Sequence, residues 1–195
     1  MGKILTHMTM SLDGYIADPR DQVAGIFDWY GAGDVTIETD NADVTLKVDP
    51  VSAQMLREMI ANTGALISGR RLFDLTNGWG DMHPMGAPVV VVTHSPPVDA
   101  AKKWPRTSFV GGVEVAVVHA RTIAGDKNVV ISSASIIQQA LQLGLVDELW
   151  VSVAPVLFGE GIPYFSKMRQ DHRFLEDPVV IQGRRALHLK YQVRR

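Results

Sequence analysis

The stretch Val129–Gly161, VVISSASIIQQALQLGLVDELWVSVAPVLFGEG, decides how the chain folds. After Asn128 it opens on a short apolar run, the pattern of a strand covered on both faces, which closes at the small residues Ser132 and Ser133. From Ser135 to Leu143 apolar residues recur at helical spacing, and Gly144 stops the helix. Glu148 to Val153 predicts the next strand, and Gly159 and Gly161 punctuate the loop after it. Strand, turn, helix and strand in that order predict an α/β protein with a mostly parallel sheet and helices on its faces.

Working outward, the same signals recur. Lys3 to Met10 alternates and then meets Ser-Leu-Asp-Gly, so a first, central strand is predicted to end in a loop at Asp13 and Gly14. Val35 to Val48 reads as a hairpin around Asp40 and Asn41. Asp49 and Pro50 supply an N-cap and a proline at the first helical position. Met55, Leu56, Met59 and Ile60 follow at helical spacing until Asn62 and Gly64. Ala65 to Ser68 is a strand, Gly69 breaks it, and Arg70 to Asp74 starts a helix. Pro88 to Thr93 is a buried strand, Val113 to Ile123 a helix, and Val179 to Gln182 with Ala186 to Val193 a terminal antiparallel pair. Leu149 to Val156 suits either a central strand or a buried subunit interface.

With 195 residues and no linker or repeat, a single domain over residues 1–195 is expected. The 19 basic residues balance 21 acidic ones, with no basic run, which points to a small-molecule ligand and away from nucleic acid or an anionic membrane surface. There are no cysteines, so disulfides, thiolate zinc sites and a cysteine nucleophile are excluded, and a cytoplasmic setting is expected. No apolar run approaches the roughly 18 residues of a membrane span, and no signal-peptide core opens the chain. His7, His83, His94, His119, His172 and His188 show no paired metal spacing.

In open α/β sheets ligands bind beyond the carboxyl ends of the strands. Three loops qualify. Arg70 and Arg71 after Gly69 are either a phosphate fork or two solvated arginines. Thr93, His94 and Ser95 follow the strongest strand. Ser132 and Ser133 either admit a pyrophosphate at a helix start or simply cap the helix. Trp29, Trp79 and Trp104 lie near Gly or Pro, where indoles line pockets or cover core edges. Asp13 stands at the mouth of the first strand, where burial would be needed to make its carboxyl an acid.

MSLDGYIA (Met10–Ala17), GALISGRRLFD (Gly64–Asp74), PVVVVTHSPP (Pro88–Pro97) and GLVDELWVSVAPVLFGEGIPYF (Gly144–Phe165) together resemble the dihydrofolate reductase-like superfamily, in the branch of the riboflavin-biosynthesis reductase (RibD C-terminal) domain. The resemblance implies a three-layer fold, with a central mixed, mostly parallel sheet, helices on both faces and a C-terminal antiparallel strand pair. It implies hydride transfer from NADPH to a pteridine- or pyrimidine-like ring, and a homodimer. Carried over by position, Gly69, Arg70 and Arg71 face the cofactor phosphates, Thr93 and Ser95 the adenosine 2′-phosphate, and Ser132, Ser133, Ala134 and Ser135 the pyrophosphate. Ala17 lines the nicotinamide end, and Gly159 and Gly161 close the cleft. Asp13, Asp28, Trp29 and Trp79 border the substrate, with Asp13 or Tyr15 as proton donor.

Two departures stand out. Ser132-Ser133 replaces the family's Gly-Gly, which leaves open a flavin, or no cofactor and a catalytically lapsed binding or oligomerisation protein. Ile131 occupies the place of a substrate-binding glutamate, which argues against the ribosylaminouracil phosphate of the riboflavin pathway. A folate reductase needs a buried acid on its first helix, for which Asp28 is the candidate. The zinc signature of the deaminase partner domain requires cysteines that the sequence lacks.

Overall fold

The computed structural model describes residues 2–166 and 172–194. Its main sheet has eight strands in the order β11 (Val179–Gln182), β12 (Leu187–Gln192), β9 (Glu148–Ala154), β1 (Ile4–Ser11), β8 (Asn128–Ser132), β5 (Thr63–Gly69), β6 (Val89–Val92) and β7 (Thr107–Val110). From β9 to β7 every neighbouring pair is parallel, while β12 runs antiparallel to both β9 and β11. Parallel strands joined through helices must be covered on both faces, which is why β8 and β6 read as unbroken apolar runs.

Helices α4 (Val113–Ala124) and α5 (Ala134–Gln142) cover one face, over a core that includes Ile4, Ile67, Val90 and Ile137. Helix α1 (Pro50–Asn62) lies on the other, with Leu5, Leu66, Val130 and Trp150 beneath it. Asp49 caps α1 by accepting from the Val51 and Ser52 N–H groups at 3.0 and 3.1 Å. Leu56 and Met59 then face the sheet, each contributing roughly 2 kcal/mol by leaving water. Helix α2 (Arg70–Leu75) follows β5 directly and anchors through the buried Phe73.

Two small ribbons sit outside the main sheet. The expected hairpin is β3 (Val35–Ile37) against β4 (Leu46–Val48), and β2 (Tyr15–Ala17) pairs with β10 (Ile162–Pro163). The short α3 (Ala100–Lys103) and β7 carry no periodic signal and are legible only in three dimensions. β9 lies inside the sheet, between β1 and β12, so its apolar run is that of a central strand. No helix among the described residues is long and apolar enough to cross a membrane.

Candidate functional site

The parallel strands deliver three turns to one sheet edge. β8 leads through Ser133 into α5, β5 through Gly69 into α2, and β6 into Thr93–Ser95. Ser133 has φ 126° and ψ 117°, where a Cβ is strained and glycine is favoured. It holds that shape because its Oγ accepts from the Gly69 N–H at 2.9 Å, tying the β8 turn to the β5 turn. The N–H groups of Ala134 and Ser135, in the first turn of α5, donate to no acceptor among the described residues. Ser132 Oγ donates to the His7 carbonyl at 3.3 Å.

The arginine pair is not idle. Arg70 Nε donates to both carboxylate oxygens of Asp74 at 2.8 and 2.9 Å, and its Nη1 to the Ser95 carbonyl. Arg71 is paired with Asp21. Both guanidinium groups are open to water, where such pairs are weak, so either can exchange its carboxylate for a phosphate. Thr93 Oγ1 accepts from the Ser95 N–H at 3.1 Å, which folds the β6 loop back beside Arg70.

Beside this edge, on the α1 face, lies a cleft of about 530 Å³. Leu56, Met59 and Ile60 of α1 form one wall and His7, Thr9, Val130 and Ser132 the floor. Phe27, Tyr30, Trp79 and His83 enclose it from the loops. Trp79 sits in a left-handed turn, Asn77–Asp81, in which every φ is positive. Such conformations cost about 1 to 2 kcal/mol per non-glycine residue. Asn41 holds this turn through its Nδ2, which donates to the Trp79 and Met82 carbonyls at 3.1 and 2.8 Å, and Trp104 Nε1 donates to the Asn77 carbonyl at 3.3 Å. Trp79 meets the His83 ring edge-on at 4.7 Å. Burial pushes His83 down to about 4 and the Tyr30 hydroxyl up to about 12, so both are neutral at pH 7.

Several expected site residues lie elsewhere. Asp13 is exposed, and its carboxylate accepts from Ser11 Oγ at 2.5 Å and from the Phe158 and Gly159 N–H groups at 3.1 and 2.7 Å. The Ser11 hydroxyl, followed by these backbone donors, holds it below the usual aspartate range. It is therefore ionised at neutral pH and staples the first loop to the one after β9, which removes it as a proton donor. Tyr15, the other expected donor, pairs with Pro163 in the β2–β10 ribbon, outside the cleft lining. Ala17 is buried in that ribbon, and a Cβ on Gly161 would fall 2.2 Å from the Ala17 carbonyl oxygen, which explains the glycine there.

Asp28 is exposed and paired with Arg185 at 3.2 Å. The buried acid of the first helix is instead its cap, Asp49, only 7% exposed. Trp29 is fully buried in the core, reaching the cleft only through the bond from its Nε1 to Thr9 Oγ1 at 3.3 Å. Ile131 is also fully buried and packs on the α4 and α5 side, so β8 presents Val130 and Ser132 to the cleft and not the residue between them. Of the expected substrate residues, Trp79 alone lines it. His7, Thr9, Tyr30 and His83 were not anticipated. Period-two alternation along β1 puts His7 and Thr9 on one face, a signal that marks the face without marking the cavity.

The family model of the RibD C-terminal domain matches residues 2–180. A comparison with curated proteins gives no match. Among solved structures, one described as a riboflavin biosynthesis protein from Shewanella sp. PV-4 superposes with a TM-score of 0.70 at 21% identity, covering 99% of both chains. A dihydrofolate reductase from Enterococcus faecalis complexed with NADP(H) gives 0.61 at 14% identity, over 100% of this chain and 98% of that one. A deaminase/5-amino-6-(5-phosphoribosylamino)uracil reductase from Thermotoga maritima gives 0.63 at 13% identity, over 99% of this chain and 57% of that one. The chain thus spans just over half of the bifunctional protein. The sheet order with its antiparallel end strands, the turns gathered at one edge and the match over residues 2–180 place this chain in the RibD C-terminal domain family, with the dihydrofolate reductase-like fold.

Proposed function

We propose that the chain is an NADPH-dependent reductase that delivers hydride to a small heterocyclic ring, pteridine- or pyrimidine-like, held in the cleft beneath α1. The observation that carries this reading is the junction of two surfaces: a polar edge built from Gly69–Arg71, Thr93–Ser95 and Ser132–Ser135, and an apolar cleft that shares Ser132 with it. A dinucleotide needs both, anion donors for its phosphates and a dry slot where its ring meets the acceptor. The residues fit such a group. The N–H groups of Ala134 and Ser135, which have no acceptor among the described residues, suit the pyrophosphate, and Arg70 with Thr93 and Ser95 suits a ribose phosphate. The Asp28 paired to Arg185 and the core Trp29 have no part in it.

NADPH, when bound, supplies the hydride. The protein holds the two rings in register and excludes water from between them, which lowers the entropic barrier to transfer. The proton that completes the reduction has no carboxylic acid to come from. Asp21 is the one carboxylate on the cleft wall among the described residues, and Arg71 holds it. Solvent therefore provides the proton through the neutral hydroxyls of Thr9 or Tyr30. A homodimer would cover the edge strand β11, whose Val179 and Val180 are exposed.

Calorimetric titration with NADPH and NADH tests the reading. NADPH is expected to bind preferentially, and Arg70→Ala to weaken it about ten-fold while leaving NADH nearly unchanged, since a charge-assisted phosphate contact contributes about 1.5 to 3 kcal/mol. If neither nucleotide binds, the reductase reading fails and the lapsed binding protein takes its place. The strained Ser133 is the observation that favours that second reading, because its Cβ stands where the backbone should approach a phosphate.

Ser133→Gly separates the two. It relieves about 1 to 3 kcal/mol of backbone strain and removes a bond to a buried N–H of similar size, so stability should move by less than about 1 kcal/mol. Affinity for NADPH should nevertheless rise several-fold as the turn opens. An unchanged affinity in the glycine variant would show that Ser133 does not limit the site.

A further inference from the structure

Beneath α1 runs a closed chain of hydrogen bonds that the reductase reading does not use. Ser52 Oγ donates to Asp49 Oδ2 at 2.6 Å and lies 2.9 Å from His188 Nε2. Ser152 Oγ lies 2.7 Å from His188 Nδ1 and 3.1 Å from His7 Nε2. His188 is 2% exposed, and Ser52 and Ser152 are fully buried. His7, at the far end, lines the cleft beside Val130, Met59 and Thr9. Five side chains from α1, β12, β9 and β1 are thus joined in one line from a helix cap to a cavity floor.

The carboxylate fixes the direction of every proton in this line. Asp49 also accepts from the Arg184 N–H at 2.8 Å, and burial, which raises its pKa, is outweighed by these donors, so it stays at about 2 and can only accept. The single hydroxyl hydrogen of Ser52 therefore points at Asp49, and His188 Nε2 must carry the hydrogen between them. His188 is kept neutral by burial, so its Nδ1 is a lone pair and Ser152 donates to it. Ser152, with its hydrogen spent, can only accept from His7, which places the hydrogen of His7 on Nε2. Burial also keeps His7 neutral, leaving Nδ1 as a bare acceptor. Among the described residues Nδ1 makes no hydrogen bond, and His7 lines the cleft. The Ser132 hydroxyl on the His7 carbonyl fixes the backbone as well.

We infer that His7 is a specificity-determining residue whose Nδ1 accepts a hydrogen bond from a ring N–H or amino group of the ligand, and that Ser152, His188, Ser52 and Asp49 are positioning residues that lock it in the acceptor tautomer. The inference rests on the proposed cleft as the ring site and narrows the ligand to heterocycles with a donor edge. A ring presenting only acceptors to His7 would leave two lone pairs opposed in an otherwise apolar wall.

Long-range ¹⁵N–¹H spectra of the full chain, histidine-labelled, read the tautomer directly. His7 should show a protonated Nε2 and an unprotonated Nδ1, and Ser152→Ala should shift population toward the other tautomer, a change that a merely structural role for Ser152 would not produce. Adding 2,4-diaminopyrimidine should move the His7 Nδ1 resonance and bind about ten-fold more tightly than 2,4-dimethoxypyrimidine, which has the same ring without donors. In His7→Leu, checked for fold by circular dichroism, that preference should fall to within about two-fold. If His7→Leu does not fold, the loss of preference is read in Ser152→Ala.

A protonated Nδ1 in the wild-type protein overturns the inference. So does equal binding of the two rings, or a His7 resonance that does not respond to the diamino ring up to its solubility limit. A parallel NADPH titration keeps the two readings apart: loss of NADPH binding with the His7 response intact removes the reductase alone, while NADPH binding without that response removes the His7 assignment alone.

Discussion

Lowering the pH from 7 to 5 is expected to destabilise the fold by about 4 to 6 kcal/mol, a large part of the 5 to 15 kcal/mol that holds a typical domain together. The cause is three histidines. Burial pushes His7 from its ordinary 6.5 down to about 4, with smaller contributions from Lys190 and from His188 once that ring is protonated. Burial pushes His188 to about 4 against a weaker opposing pull from Asp49, and burial alone does the same to His83. A base whose pKa is depressed on folding binds its proton more readily in the unfolded chain. Its contribution is thus complete above 6.5 and is lost as pH falls toward 4, at about 2 kcal/mol per histidine by pH 5. His188 is sealed in the core, whereas His7 and His83 line the cleft and can be partly hydrated, so His188 should dominate. Asp49 acts later, since its stabilisation is present above about 4 and is lost only as pH falls toward 2. Urea unfolding at pH 7.5, 6 and 5 checks this, and a midpoint that stays constant across the series would mean that the buried rings are hydrated.

Most of the framework was legible because it is written in periodicity. The apolar runs of β6 and β8, the Asp49-Pro50 start of α1 and the alternating terminal pair β11–β12 all carry a local signal that tertiary packing merely uses. β7 carries none: its four residues are all half-buried, and the edge position comes from pairing with β6. At the site the same division holds. The three turns at the sheet edge follow from strand direction alone, so Gly69, Thr93 and Ser132 could be placed together from the sequence. The cleft could not, because its walls come from α1, the hairpin region and the left-handed turn around Trp79, segments that meet only after the chain closes over the sheet. Asp13 misled because a charged residue in a loop shows its chemistry in sequence but not all its partners, and the N–H groups of Phe158 and Gly159 are distant along the chain.

Trp29→Ala should cost about 3 to 5 kcal/mol, as expected for emptying a fully buried aromatic site. The indole is 0% exposed, packs 4.1 Å from the Tyr30 ring and meets the His188 ring edge-on at 4.8 Å. Truncation leaves a cavity beside the buried relay and removes the donor that engages Thr9 on the cleft floor. Trp29→Phe keeps most of the apolar contact and loses that bond and the remainder of the indole, so it should cost less, about 1 to 3 kcal/mol. A tryptophan bordering the substrate would behave in the opposite way: ring binding would fall sharply on substitution while the urea midpoint hardly moved. Urea unfolding of both variants beside a diaminopyrimidine titration distinguishes these outcomes. The core assignment requires a graded loss of stability from Phe to Ala, with the Phe variant still binding the ring. The phenyl side chain, unlike Ala, still fills the space between Tyr30 and His188 and so keeps the relay that aims His7 in place.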